Sequence, residues 1–343
     1  MTPDKPARRH PGNTLNDLTG RDWLRFTRTW FQSEADQPDL PPDIAAALAR
    51  YAEQLPHESG ELNDLSPAEW LDHAQSWFVA DSRRYHQNKD TELHPARFPE
   101  EMCARFVTFF TKAGGWVLDP FAGSGATLVT CHETGRGGVG LEINPRYADT
   151  ARARLADDPR QVVLCADARR VGEPGFWDAA LAAGCPGCEG RPSFDFVLTS
   201  PPYWHMLRTT RGGVHSSQQE RAAKGLDTHY SEADEDLGNL TDYEGFVEAL
   251  GGVFDGLLPL LAPRAYLVVV LQNLRAPDGE VKPLAWDVAR RLGRTYAFQG
   301  ERIWCQNTKR LGIWGYPNTF VPNYHHHYCL IFRNRLKERT AMW

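Results

Sequence analysis

The chain has 343 residues, 41% hydrophobic and 24% charged, with a formal net charge of −6. That length fits one large domain with an appendage, or two modest domains. No run approaches the roughly 18 consecutive apolar residues of a membrane span, and the opening MTPDKPARRH lacks the apolar stretch of a signal peptide, so a cytoplasmic location is expected. The charge balance excludes a uniformly basic nucleic-acid binder and leaves local patches as the route to a polyanion. Seven cysteines, at positions 103, 131, 165, 185, 188, 305 and 329, are odd in number and irregular in spacing, which suits reduced thiols and not a disulfide framework.

Residues 1–90 carry an internal repeat. Leu15-Asn16-Asp17-Leu18-Thr19 matches Leu62-Asn63-Asp64-Leu65-Ser66, Trp23-Leu24 matches Trp70-Leu71, and Trp30-Phe31 matches Trp77-Phe78, always at an offset of 47. Thr19 and Ser66 are each followed three residues later by an acid, Asp22 and Glu69, a capping-box pattern. The two tryptophans of each copy are seven apart and would share a helix face. Two amphipathic helices are expected, joined by a turn with Pro38, Pro41 and Pro42 and a helix near 43–54. Their tryptophans would pack on the main domain, or alternatively touch DNA.

From about residue 91, apolar strands alternate with helices. Strands are expected at 116–119, 138–142, 162–165, 194–199, 266–271, 297–305 and 328–333, and helices near 100–112, 125–134, 145–156, 242–258 and 283–293. Such alternation implies a mostly parallel, doubly wound α/β sheet, and the last two strands, with no long helix between them, would close it as an antiparallel hairpin.

Val117 to Thr127 reads as a strand, a glycine turn and a helix: Val-Leu-Asp-Pro-Phe-Ala-Gly-Ser-Gly-Ala-Thr. Gly123 and Gly125 allow a tight turn and close approach of a ligand at the carboxyl end of the strand. Asp119 would accept a hydrogen bond from a ligand ammonium or a water. The next strand ends in Glu142, 17 positions after Gly125, placed to take the hydroxyls of a ribose. The third ends Cys165-Ala166-Asp167-Ala168, where a carboxylate could accept from an adenine amino group. Three successive strands thus end in carboxylates.

The fourth strand runs into Thr199-Ser200-Pro201-Pro202-Tyr203-Trp204. Two prolines fix φ and remove two N–H groups, leaving carbonyls without competing donors. An exocyclic amine on an aromatic base is a poor nucleophile because its lone pair is delocalised. Acceptors on its two hydrogens, the Ser200 hydroxyl and the Pro201 carbonyl, would favour a pyramidal nitrogen. Tyr203 would stack on a base rotated out of the helix.

With these motifs in hand, residues 91–335 resemble the amino-group (N4-cytosine and N6-adenine) DNA methyltransferases. Asp119-Pro120-Phe121-Ala122-Gly123-Ser124-Gly125 is similar to that family's S-adenosylmethionine (SAM) motif, and His94-Pro95-Ala96-Arg97-Phe98-Pro99 to the segment that helps hold the methionine end of SAM. Thr199-Ser200-Pro201-Pro202-Tyr203 resembles the catalytic motif, with Ser at the position typical of N4-cytosine enzymes, where adenine enzymes more often carry Asp or Asn. His327 to Arg333 resembles the closing strand, with His327 where Glu is common. The resemblance implies a Rossmann-like class I SAM-dependent methyltransferase fold over 91–335, preceded by a small helical region over 1–90. It implies SAM as cofactor, held by His94, Ala96, Phe98, Pro99, Asp119, Pro120, Phe121, Gly123, Ser124, Gly125, Thr127, Glu142, Ile143, Asp167 and Ala168. Ser200, Pro201, Pro202 and Tyr203 would carry catalysis, and Tyr203, Trp204, Arg208 and Arg211 would meet the substrate. Double-stranded DNA is the implied partner, with cytosine N4 as target and adenine N6, or an RNA, as the alternatives. A cognate restriction endonuclease, a solitary regulator and phage defence are the roles left open.

Arg333 lies ten residues before Trp343, so no appended target-recognition domain is expected. The reading elements would be the N-terminal repeat, the stretch 205–235 with Arg208, Arg211, Arg221 and Lys224, and the stretch 306–324 with Lys309, Arg310, Trp314 and Tyr316. No metal is assigned. Cys185-Pro186-Gly187-Cys188 is a single CxxC pair without a second at zinc spacing, and His325-His326-His327 would alternate faces on a strand.

Overall fold

Short runs of Val, Leu, Ile and Phe separated by amphipathic segments build a sheet with helices on both faces. The computed structural model describes residues 62–65, 77–80, 99–155, 158–204, 237–276, 279–306, 321–322 and 324–335. In chain order the strands are β1 (Trp77–Val79), β2 (Trp116–Asp119), β3 (Gly137–Glu142), β4 (Gln161–Cys165), β5 (Gly187–Cys188), β6 (Arg191–Pro192), β7 (Phe194–Thr199), β8 (Leu261–Leu271), β9 (Leu274–Arg275), β10 (Val281–Lys282), β11 (Ala297–Cys305) and β12 (His326–Arg333). The helices are α1 (Glu100–Phe110), α2 (Ala126–Glu133), α3 (Pro145–Ala153), α4 (Asp178–Ala182), α5 (Tyr243–Leu257) and α6 (Leu284–Leu292).

Eight strands form the main sheet in the order β1-β11-β12-β8-β7-β2-β3-β4. All neighbouring pairs are parallel except those of β12, which runs antiparallel to both β8 and β11. This is the Rossmann-like fold expected from the sequence, closed by its antiparallel strand. Chain order reverses between β2 and β7. Such a switch point opens a crevice at the carboxyl ends of the two strands, the usual ligand position in open α/β sheets.

Alternation along the central strands divides the core. Phe196 and Leu198 of β7, with Val268 and Val270 of β8, pack toward α1 through Met102, Phe106 and Phe110. Val197, Leu267, Val269 and Leu271 pack toward α5 and α6 through Phe246, Leu250, Phe254, Val288 and Leu292. With both faces covered, β2 and β3 are buried along their whole length, as parallel strands require. The helix faces follow the 3.6-residue period: α1 buries Met102, Cys103, Phe106, Val107 and Phe110. Asp242 caps α5, its side chain accepting from Gly245 N at 2.6 Å.

One expectation is corrected. Trp77 and Phe78, read as the end of the second repeat's helix, stand on β1, an edge strand paired parallel with β11. The reason is local. Phe78 and Val79 favour extended backbone, β11 offers an unpaired edge, and Phe78 buries its ring against Phe106 (5.9 Å, edge-on) beneath the Arg302 guanidinium at 4.8 Å. Trp304 Nε1 donates to Ala80 O at 3.0 Å. The Asn63 amide donates to Phe109 O, and Asp64 accepts from Ala113 N. These contacts join part of the 1–90 region to the sheet domain, so residue 90 is not a boundary for them. The remaining repeat residues, including Trp23, Trp30 and Trp70, lie outside the described residues.

Candidate active site

Strand register sets the three acidic tips on a slope. Asp119 stands opposite Gly140, so Glu142 lies two residues further out; Glu142 stands opposite Cys165, so Asp167 lies two further again. At a rise of about 3.3 Å per residue, each tip is roughly 6–7 Å beyond the last. The tips are therefore staggered, and burial follows the stagger: Asp119 is 2% exposed, Glu142 9%, and the Asp167 side chain 14%.

Asp119, the innermost, faces inward, which corrects its expected contact with a ligand ammonium or water. Its Oδ2 accepts from Thr127 Oγ1 at 2.6 Å, and its Oδ1 accepts from Thr199 Oγ1 at 2.7 Å and Phe121 N at 3.1 Å. Burial raises its pKa to about 6, against the lowering effect of these three hydrogen bonds. One carboxylate thereby ties the glycine turn, the first turn of α2 and the last residue of β7 together.

Glu142 holds the turn from the other side. Its Oε2 accepts from Gly123 N and its Oε1 from Asn144 N, both at 2.8 Å. A carboxylate has about four lone-pair sites, so two fixed N–H donors are compatible with ribose hydroxyls as well. Gly125 caps α2 at φ +80°, and a Cβ there would sit 2.9 Å from Ala151 Cβ of α3, so glycine is required twice over. Ser124 is buried; its carbonyl accepts from Arg154 Nη1 at 2.6 Å, and Arg154 also pairs with Glu100 at 2.8 Å. Pro120 is buried, Phe121 and Ile143 are half-buried, and Ala168 is buried under the third tip. Pro99 opens α1, its carbonyl accepting from Met102 N and Cys103 N.

Asp167 caps the 3-10 turn Ala168–Arg170 and is gripped by Arg169, whose Nη2 lies 2.6 Å from Oδ2 and whose Nε reaches both oxygens. An adenine amino group would share or displace this ion pair. The glycine turn and Glu142 fit an adenosine-bearing cofactor as they stand; Asp167 fits once the guanidinium moves.

The catalytic turn sits across the crevice. Thr199 stands opposite Val269, which brings Ser200 beside Val270. Ser200 Oγ donates to Val270 O at 3.1 Å, and Tyr203 OH lies 2.9 Å from Ser200 Oγ and 3.3 Å from Val270 O. Pro201 and Pro202 are buried. Tyr203 is only 5% exposed and belongs to the main apolar cluster, so the open stacking face expected of it is not presented. Trp204, half-buried at φ +40°, packs edge-on against Tyr243 at 5.3 Å. A bulky residue at positive φ is strained, and strain of this kind gathers at functional sites. Because β12 runs antiparallel, its first residues also reach this end of the sheet; His327 stacks on Trp304 at 4.6 Å, and Gln272 Nε2 donates to His326 O.

His94, Ala96, Phe98, Arg208 and Arg211 lie outside the described residues, as do all of 205–235 and most of 306–324. Sequence reasoning missed three participants. Thr199 was legible only as part of a motif, not as the partner of Asp119. The Val270 carbonyl has no sequence signal, because strand pairing alone puts it there. Arg169, two residues past Asp167, was open to recognition as a local ion-pair partner. Cys185 and Cys188 flank a tight β5–β6 hairpin, with burial raising the Cys185 thiol to about 12. Among the described residues no group of three His, Cys, Asp or Glu could hold a metal ion, and no helix is long and apolar enough to cross a membrane.

The comparison with known families falls on the same elements. Residues 20–153, which include α1, the glycine turn, Glu142 and α3, match the DNA methylase family of N6/N4 type. These residues belong to the amino-group DNA methylases. Among curated methylases, M.Cfr9I, a Type II methyltransferase from Citrobacter freundii, is 43% identical over 75 residues, 22% of this chain and 25% of that one. M.SmaI, a Type II methyltransferase from Serratia marcescens, is 44% identical over 78 residues, 22% of this chain and 27% of that one. The chain thus spans about a quarter of the length of the methylases it matches. Among solved structures, TrmN from Thermus thermophilus overlaps with a TM-score of 0.40 at 16% identity, covering 74% of this chain and 53% of that one.

Proposed function

We propose that this protein is a SAM-dependent DNA methyltransferase that methylates the exocyclic N4 amino group of cytosine by direct attack from a flipped base. The observation that carries the reading is the Asp119–Thr199 bond, which fastens the glycine turn to the strand that delivers Ser200. Cofactor turn and acceptor turn are thus one rigid unit, and rigid placement of two reactants is worth a large part of a transfer barrier.

Bound SAM supplies a methyl group on a positively charged sulfur. Glu142 would take the ribose hydroxyls and Asp167 the adenine amino group. Pro120, Phe121, Ile143 and Ala168 would wall the adenosine, with Gly123, Ser124, Gly125 and Thr127 shaping the turn. His94, Ala96, Phe98 and Pro99 would hold the methionine end. On the substrate side, Ser200 Oγ and the Pro201 carbonyl accept the two amino hydrogens, Pro202 stiffens the turn, Trp204 offers aromatic surface, and Arg208 and Arg211 contact DNA. Ser200, in place of Asp or Asn, favours cytosine over adenine. The Type II designation of the relatives supports a cytoplasmic restriction-modification role beside a cognate endonuclease.

The test is transfer of labelled methyl from SAM to mixed-sequence duplex DNA. The wild-type chain is expected to label DNA. Ser200→Ala should retain SAM binding and lose turnover on the order of 100-fold, as when one group that stabilises a transition state is deleted. Labelling at the wild-type rate by Ser200→Ala would refute the role of the turn.

A further inference from the structure

We propose that Tyr203 is a positioning residue that works through its hydroxyl, fixing the Ser200 oxygen toward the substrate amino group, and that base stacking is not its role. This rests on the reading of the Ser-Pro-Pro-Tyr turn given above. Two observations support it independently. The first is the hydroxyl cluster. Tyr203 OH, Ser200 Oγ and Val270 O lie within 2.9–3.3 Å of one another. A hydroxyl has one proton and two lone pairs. With Ser200 donating to Val270 O, the Tyr203 proton goes to Ser200 Oγ, leaving one serine lone pair for a substrate hydrogen. With Tyr203 donating to Val270 O, Ser200 donates to Tyr203 and again keeps acceptor capacity. In either arrangement the phenol removes rotational freedom from the serine hydroxyl.

The second observation is burial. Tyr203 is 5% exposed among the apolar residues beneath the sheet end, with the His327 ring 6.2 Å away at 46°. A covered ring offers no face to a base, whereas its hydroxyl already touches the proposed acceptor. Trp204 is the more exposed of the two rings.

Tyr203→Phe separates the roles, because it keeps the ring and removes the hydroxyl. In steady-state methylation of DNA, kcat is expected to fall about tenfold, the size of one neutral hydrogen bond felt only in the transition state. KM for DNA and affinity for SAM should stay at wild-type values. In a Ser200→Ala background the same change should have no further effect, since the hydroxyl acts through the serine. A second measurement holds even if that variant folds poorly. Difluorotyrosine at position 203 keeps the ring and brings the hydroxyl's titration into the neutral range, so kcat should fall through neutral pH as its proton is lost. A wild-type kcat for Tyr203→Phe, an equal loss in the Ser200→Ala background, or a flat pH profile for difluorotyrosine would overturn the proposal while leaving the methyltransferase reading intact. Absence of transfer by the wild-type chain would overturn both.

Discussion

Replacing Thr199 by Val tests the link between the two halves of the site. The shapes nearly match, so the change removes one hydroxyl from a fully buried position and leaves Asp119 Oδ1 with a methyl group where a donor stood. A hydrogen bond to a charged group contributes roughly 1.5–3 kcal/mol, a neutral one about 0.5–1.5 kcal/mol. Which value applies depends on pH. The Asp119 pKa is raised from 3.8 to about 6 in the folded state, chiefly by burial. A raised acid pKa means that the folded state holds the proton more tightly. Its contribution to stability is therefore complete below pH 4 and is lost as pH rises through 6. Two units correspond to about 3 kcal/mol across that window. At pH 8, with Asp119 ionised, Thr199→Val should cost about 2–3 kcal/mol; at pH 5, with the carboxyl protonated, about 1 kcal/mol. Urea unfolding followed by tryptophan fluorescence at both pH values measures the difference. An equal cost at the two pH values, or a loss under about 0.5 kcal/mol at pH 8, would refute the reasoning.

Two further outcomes concern the cofactor side. Glu142→Ala should weaken SAM binding, measured by calorimetry, without changing DNA affinity; unchanged SAM affinity would remove its ribose role. Arg169→Ala should strengthen SAM binding, because it vacates the carboxylate that an adenine amino group would use; weaker binding would show that the guanidinium contacts the cofactor itself.

The sheet was largely legible in the sequence because its strands are short apolar runs bounded by glycine, proline or acidic punctuation. Strands 116–119, 194–199 and 297–305 have the expected ends, while β8 begins five residues earlier than expected because Leu261 already pairs with Phe194. That early start comes from pairing, not periodicity. Trp77 was misread because a seven-residue aromatic spacing suits a helix face, and only the open edge of β11 decides for a strand. At the site, the residue types and their order along the chain were readable. Their depth was not. Asp119, Glu142 and Asp167 look equivalent as strand ends, and the two-residue steps of the register turn one into a buried organiser, one into a turn anchor and one into a partly exposed acceptor already held by Arg169. The Ser200–Tyr203–Val270 cluster spans 70 positions in sequence and exists only once β7 and β8 pair.

The most direct test of the central claim is nucleoside mass spectrometry on genomic DNA from a methylation-free bacterial host that expresses the chain. N4-methylcytosine is the expected product, and it should vanish with Ser200→Ala. N6-methyladenine would keep the fold, cofactor and mechanism but contradict the use of Ser200 as the sign of a cytosine target. Neither modified base would contradict DNA as the substrate.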